Sequence, residues 1–283
     1  MIPLLDTHLH LINRDKASYT WTKDIPEICE ENFTIEDHKL ITENYGIGGA
    51  LFMETGVDDK DYQEETRYVN KYISNPKNIL IGIIASIRPE KNEEFDLWLE
   101  ETLEMGVVGY RRILHVMPDD LSRSQTFRNN INKLGNANKP FDMCFLAKQL
   151  PIALELAKSC EKTHFILNHC GVPNIAEEEI DSWKLNIKLL SEMPNVICKL
   201  SGLMAYCAPG TSSYKTIEPY VDHILNCFGP KRMVWGSDWP VVNLGKGICE
   251  WINVTREIFS KLSEEETKSI ASTNAELIYK VKI

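Results

Sequence analysis

The 283-residue sequence has no Cys-x-x-Cys pair, no lysine/arginine run beyond a dipeptide and no glycine-rich G-x-G-x-x-G segment. Nor does any apolar stretch approach the roughly 20 uninterrupted residues that a membrane-spanning helix requires. Each absence argues against a class of function. The chain lacks a concentrated basic surface and has a net charge of -10 and a pI near 5.3. No nucleic acid is therefore expected as a partner, and no membrane. An anionic ligand would have to be met by individually placed arginines, against the field of the whole chain. The eight cysteines do not read as a disulfide framework, because the chain is long and not visibly secreted. Cys144, Cys170 and Cys198 sit in or beside apolar runs, as small buried thiols do. The opening MIPLLDTHLHL has neither a basic start nor a small-residue cleavage site. No leader peptide is expected, and a cytoplasmic location is. Repeats and low-complexity segments are missing too.

What is present is an alternation of short apolar runs and longer amphipathic ones. The runs 2–10, 48–55, 79–86, 107–114, 141–146, 164–169, 196–201 and 232–238 predict strands. Their continuous hydrophobicity is what a parallel sheet covered on both faces requires. Segments 34–45, 61–75, 92–105, 121–135, 148–161, 177–192, 213–227 and 248–280 predict helices, the last split near Leu262–Ser263. Thr34 with Asp37, and Ser263 with Glu266, have the spacing of helix-start caps. The order predicts the α/β class and a single (β/α)8 TIM barrel, with residues 1–283 as one domain. The missing glycine fingerprint argues against a doubly wound open sheet.

Barrels of this kind build their sites at the carboxyl ends of the strands, and polar residues gather there. The first strand ends in His8 and His10, the second in Glu54, and the fourth in Arg111, Arg112 and His115. The sixth ends in Asn168 and His169, the seventh carries Lys199 and Ser201, and the eighth ends in Ser237 and Asp238. Such groups are costly to bury unless paired or coordinated. Strand alternation puts His8 and His10 on one face, with Asp6 below them. Joined by His169 and Asp238, they make a donor set suited to one divalent ion, zinc by preference, with a position open for water.

Glu54 reads as a further ligand, as an acceptor orienting an imidazole, or as a plain helix cap. Arg111 and Arg112 suit substrate oxygens. Alternation sends them to opposite faces, and shared parity with Gly109 and His115 favours Arg111. Lys199 reads equally as a substrate contact or as the buried partner of a carboxylate. Trp21, Trp239 and Tyr206 lie on loops after strand ends and can wall a pocket, though loose aromatics more often serve packing. His38 and His223 fall on amphipathic helices as surface or packing residues. His164 starts a strand, at the end of the barrel remote from chemistry.

These motifs resemble the amidohydrolase superfamily, and within it the lactonase-like branch called amidohydrolase family 2. The resemblance spans nearly the whole chain. It is carried by DTHLH at the start, GYRRILHVMPD (109–119), FDMCFLAKQLPIALELA (141–157), FILNHCGVP (165–173), VICKLSGL (196–203), FGPKRMVWGSDWPV (228–241) and NAELIY (274–279). Members of the branch include sugar lactonases, such as those opening fuconolactone or rhamnonolactone, and the 2-pyrone-4,6-dicarboxylate lactonase. Metal-dependent decarboxylases are more distant relatives. The resemblance implies that His8, His10, His169 and Asp238 are the metal-site and catalytic positions, and that Arg111 meets substrate. Asn168 departs from the branch, where aspartate is commoner. The fourth and fifth strands lack the lysine or glutamate and the histidine of two-metal relatives, and some lactonases of the branch work without any ion.

The expected activity is hydrolysis of a small lactone, such as an aldonolactone, in carbohydrate metabolism. Asp238 and His169 would be catalytic, and His8, His10, His169, Asp238 and Glu54 the candidate ligands of one divalent ion. Arg111, Arg112, His115, Lys199, Trp21 and Trp239 would bind a small-molecule substrate. A decarboxylase on the same scaffold is the alternative enzyme, and a non-catalytic binding barrel the alternative of another class.

Overall fold

The structure, a computed structural model, describes residues 1–73 and 78–283. Eight parallel strands follow one another around a barrel in sequence order. They are β1 (Leu4–Leu9), β2 (Ile47–Met53), β3 (Leu80–Ser86), β4 (Gly109–Ile113), β5 (Phe141–Cys144), β6 (Phe165–Leu167), β7 (Val196–Leu200) and β8 (Met233–Trp235). The barrel closes where His10 N donates to Trp239 O at 2.9 Å and Asp238 N to His8 O at 2.9 Å. The α/β class and the (β/α)8 architecture are as the alternation predicts.

The main helices between strands are α1 (Ile35–Thr42), α2 (Tyr62–Ile73), α3 (Asn92–Glu104), α4 (Gln125–Asn136), α5 (Leu150–Ser159), α6 (Asp181–Ser191) and α7 (Tyr214–Phe228). The final two residues of the predicted 61–75 helix lie outside the described residues. After β8 come α8 (Gly247–Phe259), α9 (Glu264–Lys268) and α10 (Asn274–Tyr279), with a wide π-helical turn at Ser269–Thr273 joining the last two. The predicted break near Leu262–Ser263 is present, because Ser263 and Glu266 cap each other's backbone at the start of α9. Thr34 and Asp37 do the same for α1.

Two apolar layers hold these elements. The larger lies between strands and helices. The smaller fills the barrel: Leu5, Leu51, Met53, Ile84, Ile166, Ile197 and Val234 meet Tyr279, with Ile283 packed against them. A Cβ at Gly49 would lie 2.5 Å from Ile283. The C-terminal segment thus stoppers the amino end of the barrel and leaves the carboxyl end for the polar groups.

Candidate metal centre and its cleft

On β1, Asp6 pairs with Ala50 but Leu9 with Phe52, so three steps along β1 match two along β2. A bulge of this kind re-aims side chains. His8 and His10 converge on Asp238, whereas Asp6 turns away from the face they share. Its Oδ1 accepts from His8 N at 3.0 Å and Ser237 N at 2.8 Å, and its Oδ2 faces His38 of α1 at 3.6 Å. The reading of Asp6 on the histidine face is corrected by that bulge. Its carboxylate ties the two segments that carry His8 and Asp238.

Glycine lets these segments approach. A Cβ at Gly236 would sit 2.7 Å from His8 Cβ, and one at Gly202 would sit 2.7 Å from His169 Nδ1. His169 and Asp238 themselves hold φ values of 51° and 60°. That left-handed region is costly for side-chain-bearing residues and recurs at functional sites.

The Asp238 carboxylate stands among three imidazoles without a hydrogen bond to any of them. Its Oδ1 is 3.6 Å from His8 Nε2 and 3.5 Å from His10 Nε2, and its Oδ2 is 3.7 Å from His169 Nδ1. Donors and acceptors nearby assign the protons. His10 Nδ1 faces Met53 O at 3.0 Å, and a carbonyl only accepts, so Nδ1 carries a proton and, in the neutral ring, Nε2 the lone pair. His8 Nε2 faces Arg111 Nη1 at 3.2 Å, and a guanidinium only donates, so His8 Nε2 also presents a lone pair. Burial, then the neighbouring His169 and Lys199, keeps His8 well below the ordinary imidazole range. Burial lowers His169 to about 4 against the pull of Asp238. In the neutral rings the two Nε2 atoms present lone pairs beside the Asp238 carboxylate, and that of His8 is met by the Arg111 Nη1 proton. One ligand atom from each of His8, His10 and Asp238 lies within 4.8 Å of the others. That set calls for a cation, and its chemistry fits a divalent one.

Arg111 is the nearest fixed cation. Its Nε donates to Glu54 Oε1 at 2.6 Å and its Nη2 to Glu54 O at 2.7 Å, which aims Nη1 at His8. Burial works against the charge of Glu54, but Arg111 and Arg88 hold its carboxyl below the usual range. The expectation of Glu54 as a metal ligand is corrected here, because its carboxylate is engaged by Arg111. His169 Nδ1 lies 3.0 Å from Ser201 Oγ. Ser201, not Asn168, orients that ring, since Asn168 Nδ2 donates to Asp142 Oδ1 at 2.7 Å.

Beside this set, at the carboxyl ends of β2–β4, lies a cleft of about 400 Å³. Trp21, Arg112 and His115 line it, together with Glu54. Burial lowers His115 to about 4, and its Nδ1 lies 3.2 Å from Cys144 Sγ. Two other expected substrate contacts are elsewhere. Lys199 is fully buried, donating to Asp142 Oδ1 at 2.6 Å and Thr7 O at 2.9 Å, because only a carboxylate offsets its desolvation there. Trp239 is 1% exposed and packs edge-on against Phe33 and His38. Its indole packs against the helix side, and it does not line this cleft. His38 is itself buried, His223 bonds Lys184 O at 2.9 Å, and His164 sits at the amino end of β6. Sequence reasoning missed Asp142, although a lone acid in the apolar run FDMCFL was a legible signal. It also missed Glu65, whose place in α2 looks like an ordinary polar helix position.

Fold and site define a (β/α)8 barrel whose mouth carries a donor set fit for a divalent ion. The chain belongs to the amidohydrolase family: a family model described as Amidohydrolase matches residues 5–281. It is 36% identical over 241 residues to an L-fucono-1,5-lactonase of Burkholderia ambifaria, covering 85% of this chain and 81% of that protein. An L-fucono-1,5-lactonase of Burkholderia multivorans is 31% identical, over 97% of this chain and 95% of that one. The crystal structure of a Burkholderia multivorans amidohydrolase with bound zinc superposes with a TM-score of 0.88 at 20% identity. That match covers 99% of this chain and all of that one, and it is a likeness of fold.

Proposed function

We propose that the chain hydrolyses the ring ester of a small sugar lactone, releasing the open hydroxy acid, as one domain and within carbohydrate metabolism. The observation that carries this reading is the Asp238 carboxylate set against the imidazoles of His8, His10 and His169 without a hydrogen bond to them. The lactonase names of relatives matched over most of their length favour lactone opening over decarboxylation. All eight cysteines are free thiols, which supports a reducing compartment such as the cytoplasm.

The two oxygens of Asp238 face different partners, and the mechanism uses that division. A divalent ion, for which we favour zinc, would be held by His8, His10 and Asp238, and when bound it supplies Lewis acidity toward the ring carbonyl. Asp238 Oδ2, on the His169 side, takes a proton from water as that water attacks the carbonyl carbon. Arg111, fixed by Glu54, lies close enough to His8 to offer positive charge to the developing oxyanion. The ring C–O bond then breaks, and Asp238 returns its proton to the departing ring oxygen. His169, held by Ser201, lines the Oδ2 side of the carboxylate at 3.7 Å.

The test is a pH-indicator assay of purified protein over a panel of aldonolactones, with metal analysis of the same sample. Acid release from at least one lactone is expected, and silence across the panel overturns the reading. Treatment with a chelator should lower the rate at least about tenfold, with recovery on adding zinc. An unchanged rate in metal-free protein would assign the electrophile to Arg111 instead.

A further inference from the structure

We infer that the cleft beside the site selects an uncharged, hydroxylated ring over a carboxylated one, and that the Glu90–Arg112 and Asp59–Arg88 ion pairs make that choice. The inference deepens the lactone reading and rests on it. Three cationic and three anionic side chains line the cleft: Arg88, Lys91 and Arg112 against Glu54, Asp59 and Glu90. No cation among them is free. Arg112 Nη2 donates to Glu90 Oε1 at 2.6 Å, and Arg88 Nε to Asp59 Oδ1 at 2.7 Å. Lys91 Nζ lies 2.9 Å from Glu94 Oε2 and 3.7 Å from Asp59 Oδ2. Glu54, the wall shared with the metal centre, is taken by Arg111.

A ligand carboxylate entering this cleft would meet guanidinium groups whose charge a protein carboxylate already offsets, and would face that carboxylate as a like charge. A hydroxyl has no such conflict. It accepts from a guanidinium and donates to a carboxylate at once, so an intact ion pair offers it both roles. Arg88 is held in place, stacking over Tyr62 at 4.2 Å and donating to Ser86 Oγ at 2.8 Å, while its partner Asp59 is 62% exposed. Arg112 and Glu90 are 11% and 17% exposed, enough for a ligand edge and too little for free rearrangement. The rest of the wall is apolar, with Trp21, Ile113 and Met117 set to face ring carbons, and Trp21 is oriented by its Nε1 donating to Thr55 O at 3.0 Å. An apolar wall with a few fixed polar pairs is how small-molecule clefts combine affinity with selection.

The experiment compares an aldonolactone with the aldarolactone that carries a carboxylate on its terminal carbon. The wild-type protein should prefer the aldonolactone at least about tenfold in kcat/KM, since juxtaposed like charges disfavour the other ligand. Glu90→Gln frees Arg112 for a ligand carboxylate, so the preference should fall about tenfold, carried by KM rather than kcat. Asp59→Asn should act in the same direction through Arg88. Equal use of both lactones by the wild type, or an unchanged preference in both variants, overturns the inference. Binding of the two matching lactams, which resist hydrolysis, is measured in parallel. If no lactone is opened, the lactone reading fails, and the lactam affinities alone then decide whether the cleft discriminates by charge.

Discussion

Lys199 and Asp238 stand at neighbouring strand ends of one barrel, both buried, yet their surroundings differ in kind. Lys199 on β7 gives hydrogen bonds to Asp142 and Thr7, and Asp142 also accepts from Asn168 Nδ2 at 2.7 Å and Tyr279 OH at 2.8 Å. Every charge in that group has its counter-charge within hydrogen-bond reach. The Asp238 carboxylate has imidazole nitrogens at 3.5, 3.6 and 3.7 Å, and no described side chain hydrogen-bonds to it. Buried polar networks favour folding when complete and are costly when partial. The one whose charges are paired reads as architecture, joining β5, β7 and the C-terminal helix. The incomplete one is held open by a bulge, two glycines and two left-handed residues, which is sensible only if a ligand completes it.

The comparison breaks most sharply at Asp238. Asp238→Asn should lower kcat about a thousandfold, the scale of losing a general base, with little change in Tm. A variant that unfolds instead would place Asp238 with the architectural group. Lys199→Met should do the reverse. It leaves the Asp142 carboxylate buried without its cation, a loss of about 3–5 kcal/mol, read as a fall of about 10 °C in Tm. Adding Asp142→Asn removes the orphan charge, with the amide oxygen accepting from Asn168 and the amide nitrogen donating to the Tyr279 hydroxyl, and should recover at least half of the loss. If Lys199→Met melts normally but turns over poorly, Lys199 belongs to the reaction after all.

The same contrast explains what could be read from residues alone. The barrel was legible because parallel strands covered on both faces must be apolar throughout, and eight such runs alternate with helical ones. His8, His10, His169 and Asp238 were legible because imidazoles and a carboxylate at buried strand ends demand a partner. The roles of Lys199 and Asp6 were not legible. A lysine at a strand end can point to substrate or to a carboxylate, and only the position of Asp142 on β5 decides. Period-two alternation places Asp6 beside His8, and a one-residue bulge, invisible in the sequence, reverses it. Glu90 and Asp59 escaped because loop conformation follows from long-range packing.

A third buried group sharpens the comparison with a smaller effect. Glu54 has Arg111, whereas Glu65 of α2 receives only the Thr55 backbone N–H, at 3.1 Å, among the described residues. Burial, then the charge of Glu54, raises Glu65 to about 8. Its folded pKa lies above the ordinary 4.5, so the native state keeps a proton that the unfolded chain releases. The resulting stability is complete below about pH 4.5, declines as the pH rises, and is gone above about 8. The slope is at most about 1.4 kcal/mol per pH unit. Glu65→Gln is neutral throughout and can still accept from Thr55, so its Tm should gain on the wild type steadily from pH 5 to pH 8. Parallel melting curves across that window would mean that Glu65 is already ionised in the folded protein. It would then be paired as fully as Asp142 is, and burial without a counter-charge would no longer separate the two kinds of cluster.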